Sequence, residues 1–360
     1  MKAKFHQAAM LDSVLQARAL QAWRLSTLCF FLVVGLLLSG AAAGEISLEQ
    51  LKQRESGFNW KALEKGEVVA RDLPDDEVDD AALVVLVGVK LRAGLDEVLE
   101  RLERGEPGTE DIRLDAQSDE SVRESLNAYK IHPGQRIGVE WFYSPVADGT
   151  LNMNKEELRA LQTVALDARD SGKDQQQILA DMEVAIRDLL AARVNEYLHG
   201  GLAAVSPYDL DGKQIHPGDY LADSMQPLAL LREEDPDFYK AFAEFPNEHG
   251  KDYGDRFFVS IEENPELGGS VTSLKHWMIE QSPDYALIAE RKFYISYSLD
   301  AMNTLILLFP DGEECYVFLL NLTFTQKVTG IGGFIAHKVG RSKVKYNVVP
   351  LLEGLQAAFP

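Results

Sequence analysis

Four residues combine chemically useful groups with an apolar setting: His276, Arg291, Tyr297 and Lys338. His276 shares the even positions of 272–278 with Thr272, Leu274 and Met278. Arg291 and Tyr297 share the odd positions of 287–297 with Leu287, Ala289, Phe293 and Ile295. Alternate residues of an extended chain lie on one face. Adding Tyr316, Phe318, Leu320, Leu322 and Phe324 from 316–324 gives an apolar surface bearing an imidazole, a guanidinium and a phenol. Such groups orient the polar end of a small molecule in a pocket. In a site open to water they could act as general acid and base. An ordinary core with satisfied polar residues has the same make-up.

Lys338 lies in 329–346, TGIGGFIAHKVGRSKVKY, which is basic and glycine-rich, with no acid between Glu314 and Glu353. The run Gly330-Ile331-Gly332-Gly333-Phe334-Ile335 lacks the last glycine of a dinucleotide fingerprint and sits late in the chain, after a strand pair. A helix entry explains its glycines better than a phosphate loop. On a helix, Ile331, Phe334, Ile335, Val339 and Tyr346 share a side, with Lys338, Arg341 and Lys345 at its margin. These cations either snorkel to water or offer a contact to an anionic group beneath the helix.

Other motifs carry less. D-x-D-G at 209–212 lacks the first and last ligands of a calcium loop and reads as a turn. His132, His199, His216, His249, His276 and His337 show no zinc-ligand spacing, and no G-x-S-x-G elbow occurs. IHPG occurs at 131–134 and 215–218, where Pro-Gly marks a turn. Cys315 would be a nucleophile only with a histidine brought to it in space; otherwise it packs in the core. The Asn321-Leu322-Thr323 sequon falls inside a strand. No catalytic residue, metal or cofactor is assigned.

The chain carries 36 Lys+Arg against 57 Asp+Glu, a formal net charge of −21. That field repels phosphate backbones, so nucleic-acid binding is not expected. Lys2, Lys4, Arg18 and Arg24 precede the apolar run 25–43, which ends in Ala41-Ala42-Ala43. This order predicts a signal peptide over 1–43 and export to the bacterial periplasm or cell envelope. An uncleaved anchor is the alternative, and it would be the protein's membrane contact. Beyond 43 the single cysteine is Cys315, so no intramolecular disulfide is expected. With 46% hydrophobic residues the chain can bury a large core.

The periodicities place these residues on elements. A helix is expected over 45–65, a strand over 66–73, an acidic loop over 74–81, a buried strand over 82–90 and an amphipathic helix over 94–105. Asn154 and Asp174 open two helices, the second ending at Gly200-Gly201. Shorter helices follow near 220–232 and 236–245, the latter capped by Asp235. Strands are expected over 269–281, 285–298, 303–309 and 315–325, with a tight hairpin at Asp311-Gly312. Helices over 327–345 and 349–358 close the chain. This is an α+β protein: a C-terminal antiparallel sheet is packed by a long closing helix, and a large helical insertion fills the middle. The expected divisions are 44–130 and 256–360 for the α+β core and 131–255 for the insertion.

In this order 66–105 and 256–358 resemble the helix-grip fold of the START and polyketide-cyclase superfamily. There an early strand and helix combine with a late sheet and a closing helix over an apolar cavity. A second similarity is more particular. RVNEYLHGGLAAVSPYD, FYKAFAEFP, FYISYSLDAMNTLILLFP, YVFLLNLTFTQKVTGIGGF and VGRSKVKYNVVPLLEGL are similar to an uncharacterised family of exported bacterial proteins. That family supplies no catalytic residues. Its Cys-x-x-Gly-x-Cys motif is represented here by Gly134 alone, with Ile131 and Arg136 at the cysteine positions.

These readings point to an exported protein that binds an apolar or amphipathic small molecule, such as a lipid, under the closing helix. His276, Arg291, Tyr297 and Lys338 would supply the polar contacts. An enzyme on the same scaffold and an envelope scaffold protein are the alternatives.

Overall fold

The structure is a computed structural model that describes residues 46–72, 82–105, 109–130, 139–145, 150–210, 212–223, 228–247, 251–264, 269–297, 299–325 and 333–359. The expected signal segment, the acidic loop over 74–81, the first IHPG and the glycines Gly330 and Gly332 lie outside these residues. Among the described residues no helix is long and apolar enough to cross a membrane.

Two short helices, α1 (Leu48–Arg54) and α2 (Trp60–Leu63), precede strand β1 (Val69–Asp72). Strand β2 (Ala82–Leu91) leads to α3 (Leu95–Glu103) and then to strand β3 (Thr109–Leu114). The helical insertion begins with α4 (Asp119–Ser125), α5 (Val139–Phe142), α6 (Lys155–Asp170) and α7 (Gln175–Gly200). A hairpin of β4 (Tyr208–Leu210) and β5 (Lys213–Ile215) follows, then α8 (Pro217–Asp223), α9 (Ala229–Glu234) and α10 (Pro236–Glu244). The chain returns through β6 (Arg256–Asn264), β7 (Gly269–Gln281), β8 (Ala286–Ile295), β9 (Ala301–Asp311) and β10 (Glu314–Phe324) to the closing helix α11 (Gly333–Ala357).

Eight of these strands form one antiparallel sheet in the order β1-β2-β10-β9-β8-β7-β6-β3. The expected hairpin is present: Asp311 pairs with Glu314, and Gly312 takes the positive φ of 65° that the tight turn demands. Strands β3 and β6 are additions to the sequence reading. The first is a short edge strand with mixed polarity, and the second runs from aromatics into acids, so neither has a clean alternation.

Both faces of the sheet are buried, which explains why β2 reads as an almost unbroken apolar run. On one face Leu274, Met278, Leu287, Ala289, Leu305, Leu307 and Phe318 pack with the insertion residues Ile178, Met182, Ile186, Val194, Tyr197 and Phe238. On the other, Val85, Val87, Val89, Ile288, Ile306, Val317 and Leu319 pack against Val98 and Leu99 of α3 and against Val348, Leu352 and Leu355 of α11. Each fully buried side chain of this kind contributes roughly 1.5–3 kcal/mol.

The expected pair of closing helices is a single helix. Pro350 lies inside it and faces solvent. A proline there cannot donate to the carbonyl four residues earlier, that of Tyr346, whose residue is 71% exposed. Water can solvate that carbonyl on the open side, so the helix continues. The insertion helices match their caps. Asn154 and Asp174 accept from Glu157 N and Gln177 N, and α7 stops at Gly201, whose φ is +60°.

Gly201 also has no space for a side chain, since an added Cβ would lie 2.0 Å from the Phe245 carbonyl oxygen. Gly201→Ala is therefore expected to lower unfolding stability by at least about 2 kcal/mol. Urea denaturation measures this, and an unchanged midpoint would contradict the packing of α7 against the segment after α10.

Candidate functional site

His276 and Arg291 are brought together, because β7 and β8 pair them directly. Tyr197 of α7 joins them: its hydroxyl lies 2.9 Å from His276 Nδ1 and accepts from Arg291 Nη1 at 2.9 Å. Having accepted from the guanidinium, the hydroxyl has its own proton to give to Nδ1. The other ring nitrogen, Nε2, then carries hydrogen and donates to Asp255 Oδ1 at 2.8 Å. His276 is thus neutral in this arrangement. Burial holds its pKa below the ordinary histidine value, against the pull of the Asp255 carboxylate.

Aromatic rings fill the surroundings. Tyr197 stacks on Phe293 at 4.2 Å and on Phe245 at 5.0 Å. Phe257 stacks on the imidazole at 4.5 Å, and the Arg291 guanidinium sits 4.1 Å over Phe242. His276, Arg291 and Tyr197 are all 0% exposed; only the Asp255 side chain, at 38%, reaches water. Burial raises the Tyr197 phenol well above its ordinary value, so it is a hydrogen-bonding bridge and not a phenolate base. The cluster anchors α7, α10, Phe245 and Asp255 to the sheet.

The placement of the other two predicted residues follows from the strand geometry. A bulge in β8 leaves Leu274 opposite Tyr294 and Lys275 opposite Lys292. Tyr294 consequently joins the insertion face, where the Arg193 guanidinium lies 4.4 Å over its ring. The simple alternation expected through 287–297 therefore fails beyond Phe293, and Tyr297 falls past the strand end. Lys338 belongs to α11, which packs on the opposite face of the sheet; its side chain lies outside the described residues. The four predicted groups do not converge beneath α11, because His276 and Arg291 face the insertion.

The α11-facing side of the sheet carries its own polar group, which sequence reasoning missed. Lys275 is 1% exposed and lies 3.5 Å from Asp111, 4.0 Å from Glu262 and 4.0 Å from Glu290. Lys292 pairs with Glu262 at 2.6 Å. Trp277 Nε1 donates to Glu290 at 2.6 Å, and Ser260 donates to Asp111. Burial alone would raise the Glu262 carboxyl, but the Lys292 and Lys275 ammonium groups hold it below its ordinary value. Ser273 is 1% exposed, and its Oγ has no hydrogen-bond partner among the described residues. The missed signal was Lys275 and Lys292 inside strongly apolar strands, at positions opposite in phase to His276 and Arg291.

The remaining motifs are structural. Burial pushes the Cys315 thiol up to about 12, which leaves it protonated near neutral pH. Asn321 is 4% exposed and bonds to Thr304 and Thr323, so the sequon is closed to modification. Of the D-x-D-G stretch, Asp209 lies in β4 and Gly212 immediately precedes β5, and Asp211 lies outside the described residues. Among the described residues no group of three or more acidic, histidine or cysteine side chains is placed to hold a metal. No family model, curated protein or solved structure matches this chain.

Two outcomes test the neutral His276 bridge. Tyr197→Phe removes a hydroxyl serving two buried partners and is expected to cost about 2 kcal/mol in urea unfolding; no loss would contradict the bridge. By NMR, the His276 ring should remain neutral at pH 6.5, where a free histidine is about half protonated. Because its folded pKa is depressed, His276's contribution to stability is complete above the unfolded value and is lost as pH falls below it and through the folded value.

Proposed function

We propose that this protein is an exported, non-enzymatic binder of an amphipathic small molecule, of lipid type, held between the sheet and α11. The observation that carries the reading is the division of that buried face. Towards β2 and β10 it is apolar, lined by Val85, Val87, Val317 and Leu319 opposite Val348 and Leu352. Towards β7 and β8 it bears Lys275, Lys292, Glu262, Glu290 and the unpartnered Ser273 hydroxyl. A ligand with an apolar body and a hydrogen-bonding end matches both halves. The succession of early strand β2, helix α3, late sheet and closing α11 supports the helix-grip resemblance. The basic and apolar order of the first 43 residues supports export.

The His276 cluster favours no enzymatic reading, since its hydroxyl, imidazole and one guanidinium nitrogen are bonded to one another inside an aromatic core. Native mass spectrometry of the full chain after exposure to a bacterial lipid extract tests the proposal. Lipid adducts are expected on the wild type and on Tyr197→Phe, and their loss is expected on Ser273→Leu, which fills the hydrogen-bonding end with an apolar side chain. Absence of adducts from the wild type would sink the reading. Retention by Ser273→Leu together with loss from Tyr197→Phe would move the site to the other face.

A further inference from the structure

The outward side of α11 belongs to neither polar cluster. Residues three and four apart share one side of a helix. Val344, Val348, Leu352 and Leu355 follow that spacing, and the last three are buried against the sheet. Val339, Lys343, Tyr346 and Pro350 follow it on the opposite side, and all four are exposed. Val339 is 53% exposed and Tyr346 71%. The apolar side read from the sequence includes both of these residues. In its described part that side therefore turns outward, and a different set of residues holds α11 to the sheet.

We propose that the side of α11 from Val339 to Pro350 docks on the anionic surface of a phospholipid membrane. Charge complementarity carries the choice of partner. The chain has a formal net charge of −21, yet no acid occurs between Glu314 and Glu353, and Arg341, Lys343 and Lys345 fall within the docking stretch. Asp72, from the end of β1, is paired with Lys345 at 2.9 Å. Salt screens the distant acids within about 8–10 Å, so headgroups meet the local cations and not the net charge. A basic helix with apolar groups on its outer side lies in the plane of a membrane surface. Tyr346 would set its ring at the headgroup level with its hydroxyl towards water. Pro350 leaves the Tyr346 carbonyl to the hydrated interface. Glu353, in the next turn, ends the cationic stretch. This contact is on the outside of α11 and holds whether or not a ligand lies beneath the helix.

A local probe tests the docking in the full chain, whatever the first 43 residues do. In a Cys29→Ser background, Tyr346→Cys carries an environment-sensitive fluorophore; Cys315 is buried and stays unlabelled. A second sample carries the label at Asp188→Cys, an exposed position on α7. Vesicles of phosphatidylcholine mixed with anionic phosphatidylglycerol should shift the emission of the 346 label to the blue and leave the 188 label unchanged. Vesicles of phosphatidylcholine alone should shift neither, and molar salt should reverse the shift. Adding Lys343→Gln should raise the lipid concentration at half-shift about fivefold, the share of one surface cation. No shift at 346 with anionic vesicles, or an equal shift at 188, would overturn the proposal. So would an equal response to phosphatidylcholine alone. A 346 label already blue-shifted without vesicles would also overturn it, by showing the face covered by residues 1–43 or by a second copy. A shift with polyglutamate and none with vesicles would assign the face to an acidic protein instead.

Discussion

The structure depends on one constraint: the antiparallel sheet is buried on both sides, so every polar side chain on its central strands must find its partners inside the protein. An unpaired buried charge would cost more than any single apolar contact returns. Strands β7 and β8 meet this demand twice. Their insertion-facing positions place Arg291 and His276 around the Tyr197 hydroxyl. Their α11-facing positions place Lys275 and Lys292 among Asp111, Glu262 and Glu290. The same pair of strands therefore carries two polar groups that cannot see each other.

The two groups differ in their surroundings. Around Tyr197 the hydrogen bonds are short, aromatic rings stack on Tyr197 and on His276, and the chain of partners ends at Asp255 near water. That arrangement fixes the insertion on the sheet. On the α11-facing side, Lys275 stands 3.5–4.0 Å from three carboxylates, and the neighbouring Ser273 hydroxyl is unpartnered among the described residues. Buried hydrogen-bonding capacity of this kind is what a bound polar group would take up. The reading of function follows from this contrast and not from the presence of a histidine.

Much of this was legible from residue patterns, and the gaps have physical causes. The strand over 269–281 and the caps Asn154, Asp174 and Asp235 follow from local rules and recur in the fold. Alternation also placed His276 and Arg291 on one face. It could not say which layer covers that face, because a sheet buried on both sides has the same period seen from either. Tyr297 was lost to the β8 bulge, which shifts the phase by one residue and has no composition of its own. Strands β3 and β6 were missed because the edge strand β3 tolerates acids and β6, its neighbour, runs from aromatics into acids, so neither shows a clean alternation. The break expected near Pro350 did not occur because the affected carbonyl lies on the open side of α11.

Ligand binding is proposed for the α11-facing side of the sheet. A fatty acid carrying a photoreactive group in its acyl chain, cross-linked to the purified protein and located by peptide mass spectrometry, tests this most directly. Cross-links are predicted on α11-facing residues of β2, β9 and β10 or on α11 itself, such as Val317, Ile306 and Val348. Cross-links concentrated on α7 or α10, beside Tyr197 and Phe242, would contradict the claim.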